Sequence, residues 1–177
     1  MTRVLIVLTA ITIAACATMD VGSYLDHTAD LRRYRTYAWE ASAKLTTGDP
    51  RLDNNEMFTR CVQDRVDREL ANRGFVKETT GSPDLILHYH ASVTQKIESH
   101  QLDPTYPYAD SADARPTLYD AGTLFVDFVD SRRQALVWRG WAEGGLEGVI
   151  DDQAWLEARV EEAVHRIIQR LPISPAR

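Results

Sequence analysis

Residues 122–144 read GTLFVDFVDSRRQALVWRGWAEG, and this segment carries the clearest indication of local structure in the sequence. Two runs rich in β-branched and aromatic residues flank a polar turn at residues 131–133, a pattern typical of a β-hairpin. With Asp130 opposite Gln134, the predicted pairs on the core side are Phe128 with Leu136, Val126 with Trp138, and Leu124 with Gly140. Gly140 would then leave space for a bulky neighbour.

Before this hairpin the chain alternates apolar and polar residues from Leu85 onward in DLILHYHASVTQKIE, which predicts a long strand with one wet face. Helical spacing of apolar residues predicts a first helix over residues 55–73, with Asp53 or Asn54 as its N-cap and Gly74 as its C-terminal cap. A strand is predicted over residues 35–39, where YRTYAW favours β structure.

After the hairpin, residues 151–172 read DDQAWLEARVEEAVHRIIQRLP. This segment predicts a second helix, because it begins with acidic residues, carries an apolar stripe at helical spacing that includes Trp155 and Ala158, and ends at a proline. The element order is therefore β-α-β-β-β-α. The predicted fold class is α+β, an antiparallel or mixed sheet of about four strands with two helices packed on one face.

The N-terminus, MTRVLIVLTAITIAAC, places Arg3 before an apolar run and small residues before Cys16, which is the layout of a secretory signal. Its last four residues resemble the lipobox of bacterial lipoproteins, so we expect cleavage before Cys16 and acylation of its thiol and new amine. The alternative is a chance cysteine at the end of an ordinary signal peptide. Several acyl chains would hold the protein on a membrane, its first expected partner, facing the periplasm. Ala17 after the cysteine favours the outer membrane over the inner one.

The predicted organisation is a signal peptide over residues 1–15, a lipidated cysteine and linker over 16–30, one domain over 31–172 and a tail over 173–177. The chain of 177 residues has 26 acidic and 20 basic side chains, a net charge of −6. This acidic balance argues against nucleic acid as a partner, because phosphates require basic patches. The sequence carries no signal of oligomeric state.

Three segments resemble one known family: DLRRYRTYAW at residues 30–39, GSPDLILHYHASV at 81–93 and GTLFVDFVDSRRQALVWRGWAE at 122–143. They are similar to DUF4136, a family of bacterial domains of unknown function whose members are mostly predicted envelope lipoproteins. The resemblance covers about residues 20–172. It implies an envelope lipoprotein of this fold, assigns no reaction and supplies no catalytic residues.

His88 and His90 fall on one face of the predicted strand, about 7 Å apart, a spacing at which two imidazoles can share a metal if a third ligand approaches. The alternative is two solvated histidines on the wet face. Asp127 and Arg139 are expected to form a diagonal cross-strand ion pair. Cys61 is expected to be a buried, inert thiol on the first helix.

Residues 100–120 are rich in proline and tyrosine and predict a long surface loop. Its tyrosines, together with an outward-facing Trp141, are a candidate aromatic surface for a partner or glycan; the alternative is a mobile loop with ordinary tyrosines. With the two histidines, the candidate interaction residues are His88, His90, Tyr106, Tyr108, Tyr119 and Trp141.

No Gly-x-Ser-x-Gly elbow and no phosphate-binding glycine loop occurs in the sequence, so we expect no enzyme, no catalytic residues, no metal and no cofactor. Three hypotheses follow. The first is a binding or scaffolding lipoprotein with an envelope protein as partner. The second is a periplasmic metal-binding or hydrolytic protein that uses His88 and His90, and the third is a carrier of an apolar ligand between helices and sheet.

Overall fold

The structure is a computed structural model that describes residues 19–40, 47–53, 55–97 and 118–173. Within these residues six strands form one mixed sheet, and its order is β1-β6-β5-β4-β2-β3. In chain order the elements are β1 (Met19–Leu25), β2 (Thr36–Trp39), α1 (Glu56–Ala71), β3 (Val76–Lys77), β4 (Leu85–Ile97), β5 (Leu118–Asp130), β6 (Ala135–Gly145) and α2 (Gln153–Gln169). The predicted α+β class is confirmed, with six strands instead of about four.

Strands β4, β5 and β6 form the antiparallel centre of the sheet, while β2 runs parallel to both β4 and β3. The predicted β5–β6 hairpin exists, but the predicted pairing was wrong by two positions: Phe128 pairs with Trp138, and Val126 with Gly140. The turn contains a fourth residue, Gln134, which has a φ of 51°. A β-bulge between Phe128 and Val129 adds the second offset.

Both helices pack on the same face of the sheet. Tyr89, Val126 and Gly140 lie side by side on neighbouring strands, so their side-chain directions share one face. The hydroxyl of Tyr89 bonds to Thr59 of α1 at 2.8 Å, and a Cβ at Gly140 would lie 2.6 Å from Ile167 of α2. The prediction that Gly140 makes room for a neighbour is therefore confirmed.

Helix α1 begins at its N-cap Asn55, whose side chain accepts the N–H of Phe58, so the predicted caps Asp53 and Asn54 were wrong by one or two positions. The helix ends at Ala71 with Asn72 as its C-cap, two residues before the predicted end at residue 73, and Gly74 lies in the turn that follows. Gly74 has a φ of 84°, a conformation that favours glycine, and the N–H of Phe75 returns to the carbonyl of Leu70.

Helix α2 is capped by Asp152, which accepts the N–H of Trp155. The helix buries Leu156, Val160, Ala163, Val164, Ile167 and Ile168. Trp155 is 61% exposed and Ala158 is also exposed, so the predicted apolar stripe was wrong in the first turns of the helix. The buried residues there are Leu156 and Val160 instead. None of the helices in the described ranges is long and apolar enough to span a membrane.

The segment predicted as a linker contains strand β1, which pairs over its whole length with β6. The domain therefore begins by Met19 and not at residue 31. Val21 and Leu25 of this strand pack against the core. At the other end Ile173, predicted as tail, also packs against the core, and its carbonyl accepts a bond from Arg73.

Candidate functional site

The sheet has a second face, away from the helices, which we call the open face. It is formed by the residues that alternate with the helix-facing ones on β4, β5, β6 and β1, because successive side chains of a strand point to opposite sides. Its members include His88, His90, Lys96, Phe125, Asp127, Arg139, Trp141, Glu143 and Tyr24.

An ion pair between Asp127 and Arg139 occupies the middle of the open face. The residues lie directly opposite each other, not diagonally as predicted, because of the two-position shift in pairing. The guanidinium donates from Nε to Oδ1 at 2.6 Å and from an Nη to Oδ2 at 2.5 Å, a bidentate contact. This contact raises the pKa of Arg139, and the guanidinium also lies 5.6 Å from the centre of the Phe125 ring.

The burial of the two partners differs. The Asp127 side chain is 6% exposed, whereas that of Arg139 is 39% exposed. The Asp127 carboxylate therefore lies beneath the Arg139 side chain. The planar, positively charged guanidinium, with its remaining N–H donors, is accessible to solvent. Such a group can bind a carboxylate or an aromatic ring of another molecule.

The two predicted histidines lie on the open face, but each has a separate acidic neighbour. His88 Nδ1 is 2.7 Å from a carboxylate oxygen of Glu40, which follows β2. His90 Nε2 is 3.9 Å from Asp127, too far for a hydrogen bond. Across the described parts of the chain, no three His, Cys, Asp or Glu side chains are grouped so that they could hold a metal ion.

Trp141 lies next to the edge strand. It pairs with Gly22 of β1, and its indole covers the position where a Cβ at Gly22 would be, at 2.2 Å. Any larger residue at Gly22 would displace the indole. Next along β1, Tyr24 pairs with Arg139 and is among the exposed large hydrophobic residues. Three aromatic residues of the open face are thus neighbours of Arg139 in the sheet. Tyr24 lies opposite it, Trp141 two residues along β6, and the Phe125 ring lies against its guanidinium.

Lys96 and Glu143 form a second ion pair on the open face, toward the end of β4. Glu143 also accepts a bond from the hydroxyl of Thr123, and its contact with Lys96 raises the pKa of the lysine. Sequence reasoning missed Tyr24, Lys96 and Glu143. Their pairing with the predicted residues depends on the strand register and on β1, neither of which was predicted correctly.

The predicted aromatic loop is only partly described. Tyr119 belongs to β5, where it pairs with Lys96, so its assignment to the loop was wrong. Tyr106 and Tyr108 lie outside the described residues, as does Cys16. Of the six candidate interaction residues, the structure places His88, His90 and Trp141 together with Tyr119 on the open face.

Cys61 is half-buried on α1, and burial raises the pKa of its thiol. A thiol with a raised pKa has little thiolate and is a poor nucleophile.

The third hypothesis places an apolar ligand between the helices and the sheet. Fully buried side chains occupy this space, among them Phe128, Trp138, Val164 and Ile167.

Comparison with known proteins assigns the fold to a family. A family model described as a domain of unknown function (DUF4136) matches residues 21–173. No curated protein matches the sequence. A solved DUF4136 family protein from Bacteroides thetaiotaomicron is 13% identical with a TM-score of 0.51, and the match covers 87% of this chain and 96% of that one.

A PDZ domain protein from Parabacteroides distasonis is 15% identical with a TM-score of 0.57 over 89% of this chain. The chain spans only 37% of the length of that protein. A PelC dodecamer from Paraburkholderia phytofirmans is 12% identical with a TM-score of 0.47, and the match covers 85% and 96% of the two chains. Since the family model matches most of the sequence, this chain belongs to the DUF4136 family.

Proposed function

We propose that this protein is a lipid-anchored, periplasm-facing component of the bacterial cell envelope, and that it is a non-enzymatic binding or scaffolding module. The anchor is argued from the sequence Ile13-Ala14-Ala15-Cys16 that ends the apolar N-terminal run. The outer membrane is favoured over the inner one because Ala17, and not an aspartate, follows the cysteine.

The observation that carries the binding proposal is the open face around Arg139. Neither α1 nor α2 covers this face, since both helices pack on the opposite side. Arginine and aromatic residues are the side chains most enriched at the centres of protein interfaces. Here a guanidinium fixed by Asp127 is flanked by Tyr24, Phe125 and Trp141.

The fixed geometry favours binding for a physical reason. An arginine side chain that is immobilised on association loses rotamer freedom, which costs about 0.5–1.5 kcal/mol. The bidentate contact with Asp127 restricts Arg139 before any partner arrives. The open face therefore presents a preorganised cation and aromatic rings, and a partner that offers a carboxylate or an aromatic side chain fits it.

Site-specific photo-crosslinking in intact cells tests the proposal. A benzophenone amino acid at Tyr24 or His90 samples the open face, where both side chains are exposed, and the same amino acid at the exposed Arg170 after α2 is the control. We expect one shared protein adduct from the two open-face positions and none from Arg170. The proposal loses its support if the adducts are absent or are equal at all three positions.

A further inference from the structure

The start of strand β1 limits the distance between the domain and its proposed anchor. Met19 is already paired with Gly144 in the sheet. Cys16 precedes Met19 by three peptide steps, and a fully extended chain spans at most about 3.6 Å per residue. A lipidated Cys16 would therefore lie within about 11 Å of this end of the sheet.

The central strands extend past Met19 on the same side. Gly144 pairs with Gly122, and β5 begins four residues earlier at Leu118. At about 3.3 Å per residue, Leu118 lies roughly 13 Å beyond the level of Met19. The tip of β5 thus extends about as far in this direction as Cys16 can reach.

Exposed apolar side chains lie at this end of the molecule. Among the described residues, the exposed large hydrophobic ones are Tyr24, Val76, Leu118 and Trp155. Leu118 is 59% exposed at the tip of β5. Trp155 is 61% exposed in the first turn of α2, beside Gly148 in the loop that follows β6.

The loop connects these two positions. The N–H of Leu146 bonds to the carbonyl of Asp120 at 2.9 Å, which ties the start of the loop to the beginning of β5. Leu146 also covers Gly122, where a Cβ would lie 2.6 Å from its side chain. Leu118 and Trp155 therefore belong to one end of the domain, whereas Val76 pairs with Thr36 near the opposite end.

We propose that this end of the domain contacts the lipid bilayer, with Leu118 and Trp155 at the membrane surface. The inference rests on the proposed lipidation of Cys16, which brings the membrane within reach. Tryptophan is enriched at membrane interfaces because its ring is apolar and its indole N–H is polar. The contact orients the domain on the bilayer and leaves the open face at its side, accessible from the periplasm.

Among the described residues, the charges near this end do not form a basic patch. Asp152 lies before α2, Glu147 is close to Gly145, and Asp20 follows Met19, while the basic side chains there are engaged: Arg51 pairs with Asp151, and Lys96 with Glu143. Acidic side chains are repelled by an anionic surface. The acyl chains and the apolar residues must supply the contact, so we expect that added salt does not weaken it.

Depth-dependent quenching tests the orientation. Single cysteines replace Leu118, Trp155 or Val76 in a Cys61→Ser chain and carry an environment-sensitive fluorophore; a lipidated Cys16 is a thioether and takes no label. All three positions are at least 59% exposed, so the substitutions remove no core packing, and Val76 is the control matched in exposure. The lipidated proteins are placed in vesicles of phosphatidylethanolamine and phosphatidylglycerol that contain a lipid spin-labelled near the headgroup.

We expect the labels at Leu118→Cys and Trp155→Cys to be quenched at least twofold more than the label at Val76→Cys, and high salt should not reduce this difference. If intact mass shows acylation but the three positions are quenched equally, the orientation is overturned while the lipoprotein assignment stands. If intact mass shows no acyl chains, both the anchor and this orientation are overturned.

Discussion

At the scale of single residues, Asp130 stabilises the β5–β6 turn. Its carboxylate accepts the N–H groups of Arg132 and Arg133 at 2.9 and 2.8 Å and the hydroxyl of Tyr34 at 2.8 Å. Burial alone would raise the pKa of Asp130, but these donors outweigh it and hold the pKa below its ordinary value of 3.8. The same environment raises the pKa of Tyr34 to about 12, through burial first and then through its bond to the carboxylate.

Because the pKa of Asp130 is lowered in the folded state, its charged form stabilises the protein above the ordinary pKa, and this stabilisation is lost as the pH falls through the folded pKa. We expect Asp130→Asn to lower the free energy of unfolding by about 1–2 kcal/mol at pH 7, since hydrogen bonds to a charged acceptor are stronger than those to a neutral one. Urea denaturation at pH 7, 5 and 3 should show a difference that shrinks only at the lowest pH. Asp64→Asn, at an exposed position of α1, is the control, and a difference that stays constant down to pH 3 would contradict the role of the charge.

Asp127 and Arg139 allow a second prediction at this scale. Removal of the guanidinium leaves a carboxylate that is only 6% exposed without its partner, so Arg139→Ala should cost about 1–3 kcal/mol, less than a fully buried pair because Arg139 itself is 39% exposed. Asp127→Ala with Arg139→Ala removes the unpaired charge and should cost less than the sum of the two single changes. The free energies of unfolding from a double-mutant cycle give the coupling. Additive effects would show that the pair does not stabilise the fold.

Among the secondary-structure elements, β1 departs most from the prediction, because its residues were predicted to be a linker and form a paired strand. It adds seven paired positions to the edge of β6, and Met19, Val21 and Leu25 pack against the core. Burial of an aliphatic side chain contributes about 1.5–3 kcal/mol when complete, so the three partly buried ones together contribute at least about 3 kcal/mol. We therefore expect a chain that starts at residue 31 to be at least that much less stable than one that starts at residue 19, or unfolded, by circular dichroism and urea denaturation. Equal stability of the two chains would mean that β1 does not belong to the folding unit.

The elements also show what the sequence can and cannot predict. The long strands, both helices and the hairpin were predicted because each carries a period that a single segment displays, as in the alternation from Leu85 or the helical spacing of Phe58, Val62 and Val66. Strand β1 was not predicted because its sequence, MDVGSYL, includes Gly22 and shows little alternation of apolar and polar residues. Its pairing partner, β6, also lies more than a hundred residues away in the sequence. The register of β5 and β6 was wrong because a positive φ and a bulge depend on tertiary packing. The contacts of the open face follow from that register. The Asp127–Arg139 pair was expected, but its directly opposed geometry and the Lys96–Glu143 pair could not be derived from the sequence.

Taken together, the proposed anchor and the fold support one arrangement of the domain at a membrane. The sheet begins at Met19, so a chain cut before Cys16 has only two residues between the lipidated cysteine and β1. A domain tethered so closely cannot extend far into the periplasm to find a distant partner. We therefore expect partners that are themselves in or on the same membrane.

The same close tether makes the state of Cys16 the decisive property of the molecule. For the full-length protein expressed in a bacterial host we expect a mature mass that starts at Cys16 and includes acyl chains, with the protein in the outer-membrane fraction. Cys16→Ser removes the thiol that accepts the first lipid, so this variant should stay as the full precursor and leave that fraction. Cys61→Ser is the matched control, because it removes the other cysteine of the chain without touching the N-terminus, and it should be processed like the wild type. Cleavage without acylation in all three proteins would instead make the domain a free periplasmic protein, and the binding role of the open face would then have to be sought among soluble partners.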